Sequence, residues 1–297
     1  MRVSYSPGYQ VDLPAGHPFP MGKFAALHAI LLSEGLIGPD DVAEPSEAAW
    51  ADLLQAHTPD YLERLRRGTL DRKAERRLGL PWSRALVRRS RLAVQGTLNA
   101  ARMALEDGIA ANLAGGTHHA FADFGEGFCV LNDMAVAVRV LQREGKVRRA
   151  LVVDLDVHQG NGTAALFADD PSVFTFSLHG ERNFPFNKER SSLDVGLEDG
   201  VGDDEYNAVL AQHLPTLSAS CPDLVLYLAG VDPVAGDRYG RLALSAEGIA
   251  RRDRQMLEWA RAAGLPLVLL MSGGYAPTPE KTAWLHAIVH RQAAQVY

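Results

Sequence analysis

The sequence predicts an α/β protein, built as a three-layer α/β/α sandwich around a parallel sheet, and three observations lead to this prediction. Apolar, strand-like runs alternate with helix-like segments, which implies crossover helices between parallel strands. The runs are continuously apolar, as in strands that are covered on both faces. The chain has 297 residues, of which 47% are hydrophobic, and this is enough to bury a large core.

The individual elements follow in order along the chain. A short strand is expected at 2–5, and the rest of the first hundred residues are expected to be mostly helical. Strands are predicted at the short apolar runs 109–114, 150–155, 173–178, 224–229 and 267–271, and helices at 132–143, 203–218, 246–263 and from about 279 onward. Because no internal repeat or low-complexity linker occurs, we expect one domain across residues 1–297.

Composition and charge exclude several classes of protein. A net charge of −6 and a pI near 5.9 argue against general nucleic-acid binding, which favours a basic domain. Cys129 and Cys221 lie far apart, so a disulfide framework is excluded and a reducing compartment is favoured. Neither a signal peptide nor an apolar stretch of roughly 18 residues is found, so we expect no membrane span and a cytoplasmic protein.

One segment is strongly basic. Residues 63–91 hold eleven Lys or Arg against three acidic residues. An anionic partner is one interpretation, and a solvated helical face is the other. We favour the solvated face, because the charges are spread around helices and do not cluster with aromatic residues.

The most informative motif follows the apolar run at 150–155. Residues two apart on a strand point to the same side, so Asp154, Asp156 and His158 are expected to face one side together where the strand ends. Ligands bind at the carboxyl ends of strands in α/β proteins. A carboxylate and an imidazole are two of the three protein ligands that an open catalytic zinc site needs. The motif alone is weak, because an Asp at a strand end often only caps the next helix.

Three further strand ends carry functional-looking residues. His118 and His119 are candidate proton carriers, Asp232 is a candidate third metal ligand, and Tyr275 after two glycines is a candidate oxyanion donor. Singly, these residues could be buried imidazoles, a capping carboxylate and a packing tyrosine. Their joint occurrence at successive strand ends predicts metal-assisted hydrolysis of an amide.

A substrate channel is also predicted. Gly127 would let the backbone approach a substrate closely, and Phe128 offers a flat apolar face. Phe184 could supply the opposite face, although packing within its loop is the alternative. Such a pair would form a narrow channel for a linear aliphatic chain.

At this point the motifs resemble a known family, the zinc-dependent histone deacetylases, and the early segments resemble its compact, class IV-like bacterial branch. The motifs that carry the resemblance are Gly115-Gly116-Thr117-His118-His119-Ala120, Gly127-Phe128-Cys129 with Asn132-Asp133, Asp154-Leu155-Asp156-Val157-His158-Gln159-Gly160-Asn161-Gly162-Thr163, Ser177-Leu178-His179 and Ser272-Gly273-Gly274-Tyr275. The resemblance covers nearly the whole chain. It implies the arginase/deacetylase fold, with a central, mostly parallel eight-stranded sheet, and removal of an acyl group from the ε-amine of lysine or a similar amine.

The resemblance also implies a role for each matching residue. Asp156, His158 and Asp232 would bind Zn²⁺, with Fe²⁺ as an alternative metal. His119 would be the general base and then the acid, with Asn161 behind it, and Asp154 would orient His118 as an electrostatic partner. Tyr275 would hold the oxyanion. The substrate would lie along Gly127, Phe128, Phe184, Gly273 and Gly274.

A structural K⁺ ion is a further implication of the resemblance. The matching positions are Asp154, Asp156, His158, Ser177 and Leu178, partly through backbone carbonyls. A second monovalent site would involve Phe167, Asp170, Val173 and Tyr206.

Two features depart from the family pattern. Class I members place an aspartate where this chain has Asn161, and an asparagine cannot stabilise an imidazolium by charge. The acidic rim residue that grips the substrate backbone in class I and II members has no clear counterpart, and arginines occupy the 79–91 region instead.

These observations predict a zinc-dependent deacylase that acts on N-ε-acyl-lysine in a protein or peptide. The enzymatic alternative is an acetylpolyamine amidohydrolase, which acts on an acylated small amine and usually carries a longer insertion that this chain lacks. A non-catalytic acyl-ligand binding module is the third possibility. The sequence leaves acyl length and oligomeric state open.

Overall fold

The computed structural model describes residues 1–297 and places eight strands in one sheet. The strands are β1 Val3–Ser4, β2 Val42–Ala43, β3 Ile109–Asn112, β4 Ala150–Asp154, β5 Val173–Gly180, β6 Leu193–Leu197, β7 Leu224–Leu228 and β8 Leu267–Leu270. Their order is β2-β1-β3-β8-β7-β4-β5-β6, and every neighbouring pair is parallel. The expected eight strands are confirmed, and the sheet is parallel throughout.

Ten α-helices surround the sheet. They are α1 Lys23–Ser33, α2 Trp50–Leu53, α3 Pro59–Arg67, α4 Arg72–Leu78, α5 Arg84–Asp107, α6 Asp133–Arg143, α7 Asn161–Phe167, α8 Asp203–Ala219, α9 Ala246–Ala262 and α10 Pro279–Val296. Helices α3, α5 and α10 have N-terminal side-chain caps. Thr58, Ser83 and Thr278 each accept a hydrogen bond from a backbone N–H of the first turn. No helix has both the length and the apolar character that a membrane span requires.

Alternating side chains on the strands build a core on each face of the sheet. In β4, Leu151 and Val153 join a cluster that includes residues of α1, α8, α9 and α10. Ala150 and Val152 join a second cluster, which includes residues of α3, α5 and α6. This arrangement confirms the three-layer α/β/α sandwich, and the continuous apolar runs are explained by burial on both faces.

Three elements escaped the sequence prediction, and one motif was misplaced. The edge strands β2 and β6 are short or half-exposed, so they lack a continuous apolar run. Helix α7 begins at Asn161, where no helix was predicted. Strand β4 ends at Asp154, so Asp156 and His158 lie beyond the strand, where its two-residue periodicity no longer applies.

The topology explains why distant motifs meet. Strands β3, β8, β7 and β4 are consecutive neighbours at the centre of the sheet, and each is followed by one of the four polar motifs. Because the strands are parallel, their carboxyl ends lie at the same edge. The motifs are therefore brought together at one place.

Candidate active site

The buried cluster Asp156, His158 and Asp232 lies at the carboxyl edge of the sheet. Their ligand atoms all lie within 4.8 Å of one another. Nδ1 of His158 is 2.9 Å from Oδ1 of Asp156 and 3.3 Å from Oδ2 of Asp232. Oδ2 of Asp232 is buried and has no hydrogen-bond partner. Two carboxylates and one imidazole with an unsatisfied buried oxygen form a donor set that fits a divalent cation.

The side chains of this cluster shift one another's pKa values. Burial, together with the adjacent Asp156, raises the pKa of Asp232 to about 7. Burial opposes the charge on His158, but the hydrogen bond to Asp156 and the nearby carboxylate of Asp232 outweigh it and raise the pKa of His158 to about 10. A cation bound by these residues would compensate the negative charge of the two carboxylates.

His118 and His119 lie side by side in opposite electrostatic environments. Nδ1 of His118 is 2.6 Å from Oδ2 of Asp154. Burial lowers the pKa of His118, but Asp154 and Asp156 outweigh burial and raise it to about 9. Burial, and then the charges of His118 and His158, hold the pKa of His119 well below its usual value. These shifts favour a neutral His119 beside a cationic His118.

The hydrogen-bond partner of His119 is Asn161, the residue that the resemblance places behind it. Nδ1 of His119 is 2.7 Å from Oδ1 of Asn161. Nδ2 of Asn161 in turn donates to Oε2 of Glu126 at 3.0 Å. Sequence analysis did not identify Glu126, although its position between Gly125 and Gly127 was the available signal.

The glycine-rich segment after β8 packs against the cluster of Asp156, His158 and Asp232. The backbone N–H of Gly273 donates to Oδ2 of Asp156 at 2.6 Å. A Cβ atom on Gly273 would lie 2.0 Å from Oδ2 of Asp232, so only glycine fits there. Gly274 is buried against Val231 and does not line the pocket, in contrast to its predicted place beside the substrate.

Tyr275 is fixed beside this cluster. Its backbone N–H donates to Oδ2 of Asp237 at 2.6 Å, and its ring packs at 4.9 Å from the ring of Tyr239. Burial and then the carboxylates of Asp156 and Asp232 raise the pKa of Tyr275 well above its usual value, so its hydroxyl stays protonated. It can donate a hydrogen bond to a developing negative charge.

A pocket of about 470 Å³ leads to the cluster. The predicted residues that line it are His118, His119, Gly127, Phe128, Asp156, His158, Phe184, Gly273 and Tyr275. The ring of Phe184 lies 4.9 Å from that of His119, and the ring of Phe128 lies 5.9 Å from that of Tyr275. A Cβ atom on Gly127 would lie 2.7 Å from the His119 ring, which explains the glycine.

Cations lie at both ends of the pocket, and sequence analysis missed them. Lys23 and Arg89 line its inner part, and both are buried. Lys23 donates through Nζ to the carbonyl of Ser272 at 2.9 Å, and burial lowers its pKa to about 8. Arg76 and Arg77 line the exposed part. The basic segment is thus only partly a solvated face.

The residues proposed for K⁺ are neighbours in the sheet. Asp154 pairs with Ser177 between β4 and β5, and Leu178 follows in the same strand. Of the second set, Phe167, Asp170 and Val173 line one small surface pocket, and Tyr206 is not among its lining residues.

The fold and the site together define a three-layer α/β/α protein whose candidate metal centre lies at the carboxyl edge of a parallel sheet. Residues 17–290 match the family model of the histone deacetylase domain. The chain therefore belongs to the histone deacetylase family, and it is a hydrolase of that type.

Relatives agree with this assignment. The chain is 50% identical to an uncharacterized protein of Picosynechococcus sp. over 99% of both chains. It is 34% identical to histone deacetylase 2 of Arabidopsis thaliana, over 93% of this chain and 74% of that protein. A crystal structure of a histone deacetylase homologue complexed with SAHA superposes with a TM-score of 0.82 at 25% identity, covering 100% of this chain and 84% of that one.

Proposed function

We propose that this protein is a zinc-dependent deacylase that removes an acyl group from N-ε-acyl-lysine in a protein or peptide, with residues 1–297 acting as one catalytic domain. The observation that carries the proposal is the convergence of a three-ligand metal cluster, two histidines and Tyr275 on one pocket. Its relatives include named histone deacetylases, and the solved homologue was complexed with SAHA.

Asp156, His158 and Asp232 would hold the ion, and the orphaned Oδ2 of Asp232 supports this assignment. When bound, zinc supplies a Lewis acid that polarises the amide carbonyl and activates a water molecule. The same donor set also accepts Fe²⁺, so the metal is a point for measurement.

The chain's own residues then move the protons. His119 holds its Nδ1 proton against Asn161, which leaves Nε2 free to accept the proton of the attacking water. His119 next delivers that proton to the leaving amine. His118 stays cationic beside Asp154 and stabilises negative charge, while the Tyr275 hydroxyl donates to the oxyanion.

The pocket suits an acyl-lysine. Phe128, Phe184 and Gly127 would flank the aliphatic chain, and Gly273 would line the reacting end. Beyond this point the buried cations Lys23 and Arg89 suit the carboxylate that hydrolysis releases. A K⁺ ion beside β4 and β5, at the positions given above, would support the metal strand structurally.

The exposed end of the pocket favours this substrate over acetylated polyamines. Arg76 and Arg77 are exposed there, and Arg77 lies over the ring of Phe124 at 4.3 Å. A polycationic substrate would meet the positive charge of these two side chains there.

The two unpaired cysteines, Cys129 and Cys221, fit a protein of the reducing cytoplasm.

Turnover of a panel of acyl-lysine peptides, from acetyl to myristoyl, tests the proposal beside acetylated polyamines. Each reaction is run with and without a zinc-chelating hydroxamate on protein of known metal content. We expect hydroxamate-sensitive cleavage of acyl-lysine. Cleavage of polyamines alone would favour the amidohydrolase alternative, and no cleavage by metal-loaded protein would favour a binding module.

A further inference from the structure

We propose that Glu126 is a positioning residue for His119 that acts through Asn161, so that the pair Asn161–Glu126 replaces a single carboxylate behind the histidine. This inference rests on the proposed function, because it assigns His119 the role of proton carrier.

The contacts form a continuous chain. Oε2 of Glu126 accepts from Nδ2 of Asn161 at 3.0 Å, and Oδ1 of Asn161 faces Nδ1 of His119 at 2.7 Å. Asn161 is buried at the first turn of α7. Glu126 is held by two backbone hydrogen bonds with Cys129, at 3.1 and 2.8 Å. Both supporting residues therefore sit on well-anchored backbone.

The carboxylate decides which way the amide points. An amide side chain offers an acceptor at one end and donors at the other, whereas an ionised carboxylate only accepts. Because the carboxylate of Glu126 accepts a hydrogen bond from Nδ2 of Asn161, the Oδ1 acceptor of Asn161 faces His119. The imidazole must then carry its proton on Nδ1.

The opposite amide orientation would disable the base. With Nδ2 of Asn161 facing His119, Nδ1 would have to accept, and the proton would move to Nε2. That nitrogen could no longer take a proton from water. Glu126 thus selects the tautomer, and it places a full negative charge two hydrogen bonds from the imidazole.

A direct contact with substrate is the competing role for Glu126, because this residue also lines the pocket. A substrate contact and a positioning role affect different parameters. Loss of a ground-state contact raises KM, whereas a misplaced or wrongly protonated base lowers kcat.

The test uses four variants of the full-length, metal-loaded protein with the acyl-lysine substrate. Glu126→Ala is expected to lower kcat by roughly 10- to 100-fold, as for the loss of an orienting partner, with KM and metal content unchanged. Glu126→Gln keeps an acceptor for Nδ2 but loses the charge, so a smaller loss in kcat is expected. Asn161→Asp alone places two carboxylates at hydrogen-bond distance, and we expect it to lower kcat as well.

The double variant Glu126→Gln with Asn161→Asp supplies the decisive comparison. The amide introduced at position 126 can donate to the carboxylate introduced at position 161, which restores one carboxylate behind His119 and one hydrogen bond between the pair. We expect its kcat to exceed that of either single variant. Glu63→Ala is the matched control, because Glu63 pairs only with Arg67 and lies outside the pocket.

A second readout is independent of activity. Long-range ¹H–¹⁵N spectra of zinc-loaded protein report which nitrogen of His119 carries the proton, with His119→Ala identifying the signal. We expect Nδ1–H in the wild type and a shift toward Nε2–H in Glu126→Ala. If the wild type cleaves no acyl-lysine, the proposed function fails while this spectrum still judges the positioning role. A Glu126→Ala protein with wild-type kcat and tautomer, a rise in KM alone, or additive losses in the double variant would each overturn the proposal.

Discussion

His118 and His119 are neighbours in sequence, yet the structure places them in opposite electrostatic environments. Their ring centroids are 4.1 Å apart, and both are 4% exposed. Burial acts on both alike, and the difference comes from their neighbours: the carboxylates of Asp154 and Asp156 raise the pKa of His118, whereas the charges of His118 and His158 lower the pKa of His119, whose partner Asn161 is neutral. A charged partner keeps an imidazole cationic in the interior, and a neutral partner leaves it free to accept a proton.

The largest expected effect is the loss of kcat when each of the two histidines is replaced by alanine. His119→Ala removes the proton acceptor, and we expect kcat to fall by roughly 10²- to 10⁴-fold with the metal retained. His118→Ala removes only electrostatic support and should lose less. Steady-state kinetics on metal-quantified preparations checks both. A greater loss in His118→Ala would reverse the assignment of the two roles.

Tyr275→Phe tests the hydrogen bond to the oxyanion, which does not depend on the protonation of the two histidines. Only the hydroxyl is lost, so we expect kcat to fall by roughly 10²- to 10³-fold, the usual cost of removing an oxyanion donor. Metal content and hydroxamate inhibition confirm that the pocket is intact. An undiminished kcat would remove the tyrosine from the mechanism.

The contrast also shows what sequence could and could not predict. The central strands and the residues His118, Asp156 and Tyr275 were readable, because short apolar runs end at unusual polar side chains. The supporting groups were not. Glu126 reaches a residue 35 positions away, and Lys23 reaches one 249 positions away. Such contacts depend on how loops and helices pack, which has no local periodicity.

The basic segment gives the same lesson. Its charges were expected to be solvated, since most lie on helices without aromatic neighbours in sequence. The structure instead buries Arg89 at the inner end of the pocket, where its guanidinium lies 4.9 Å from the ring centre of Phe24. That ring comes from α1, far away in the chain, so the aromatic partner was invisible locally.

A smaller effect is expected when the charge beside His118 is removed. Asp154→Asn preserves the size of the side chain and converts the partner of His118 into an amide, like that of His119. Burial then acts with less opposition, so the pKa of His118 should fall below its value of about 9. An NMR titration of the imidazole in metal-free protein measures this, and an unchanged pKa would show that Asp154 does not set the charge state.

The smallest expected effect concerns histidines that have no carboxylate partner at all. Burial lowers the pKa of His57 and of His290 to about 4, and Nδ1 of His290 is buried without a hydrogen-bond partner. In the unfolded chain a histidine has a pKa of about 6.5, so acid protonates the unfolded state first. The stability that these neutral imidazoles contribute is complete above about pH 6.5 and is lost as the pH falls toward 4. His290→Leu should therefore flatten the decline of the unfolding free energy between pH 7 and pH 4.5 (roughly one proton fewer taken up on unfolding) in urea titrations at several pH values. An unchanged slope would mean that His290 is already protonated in the fold, and that burial without a charged partner does not keep an imidazole neutral here.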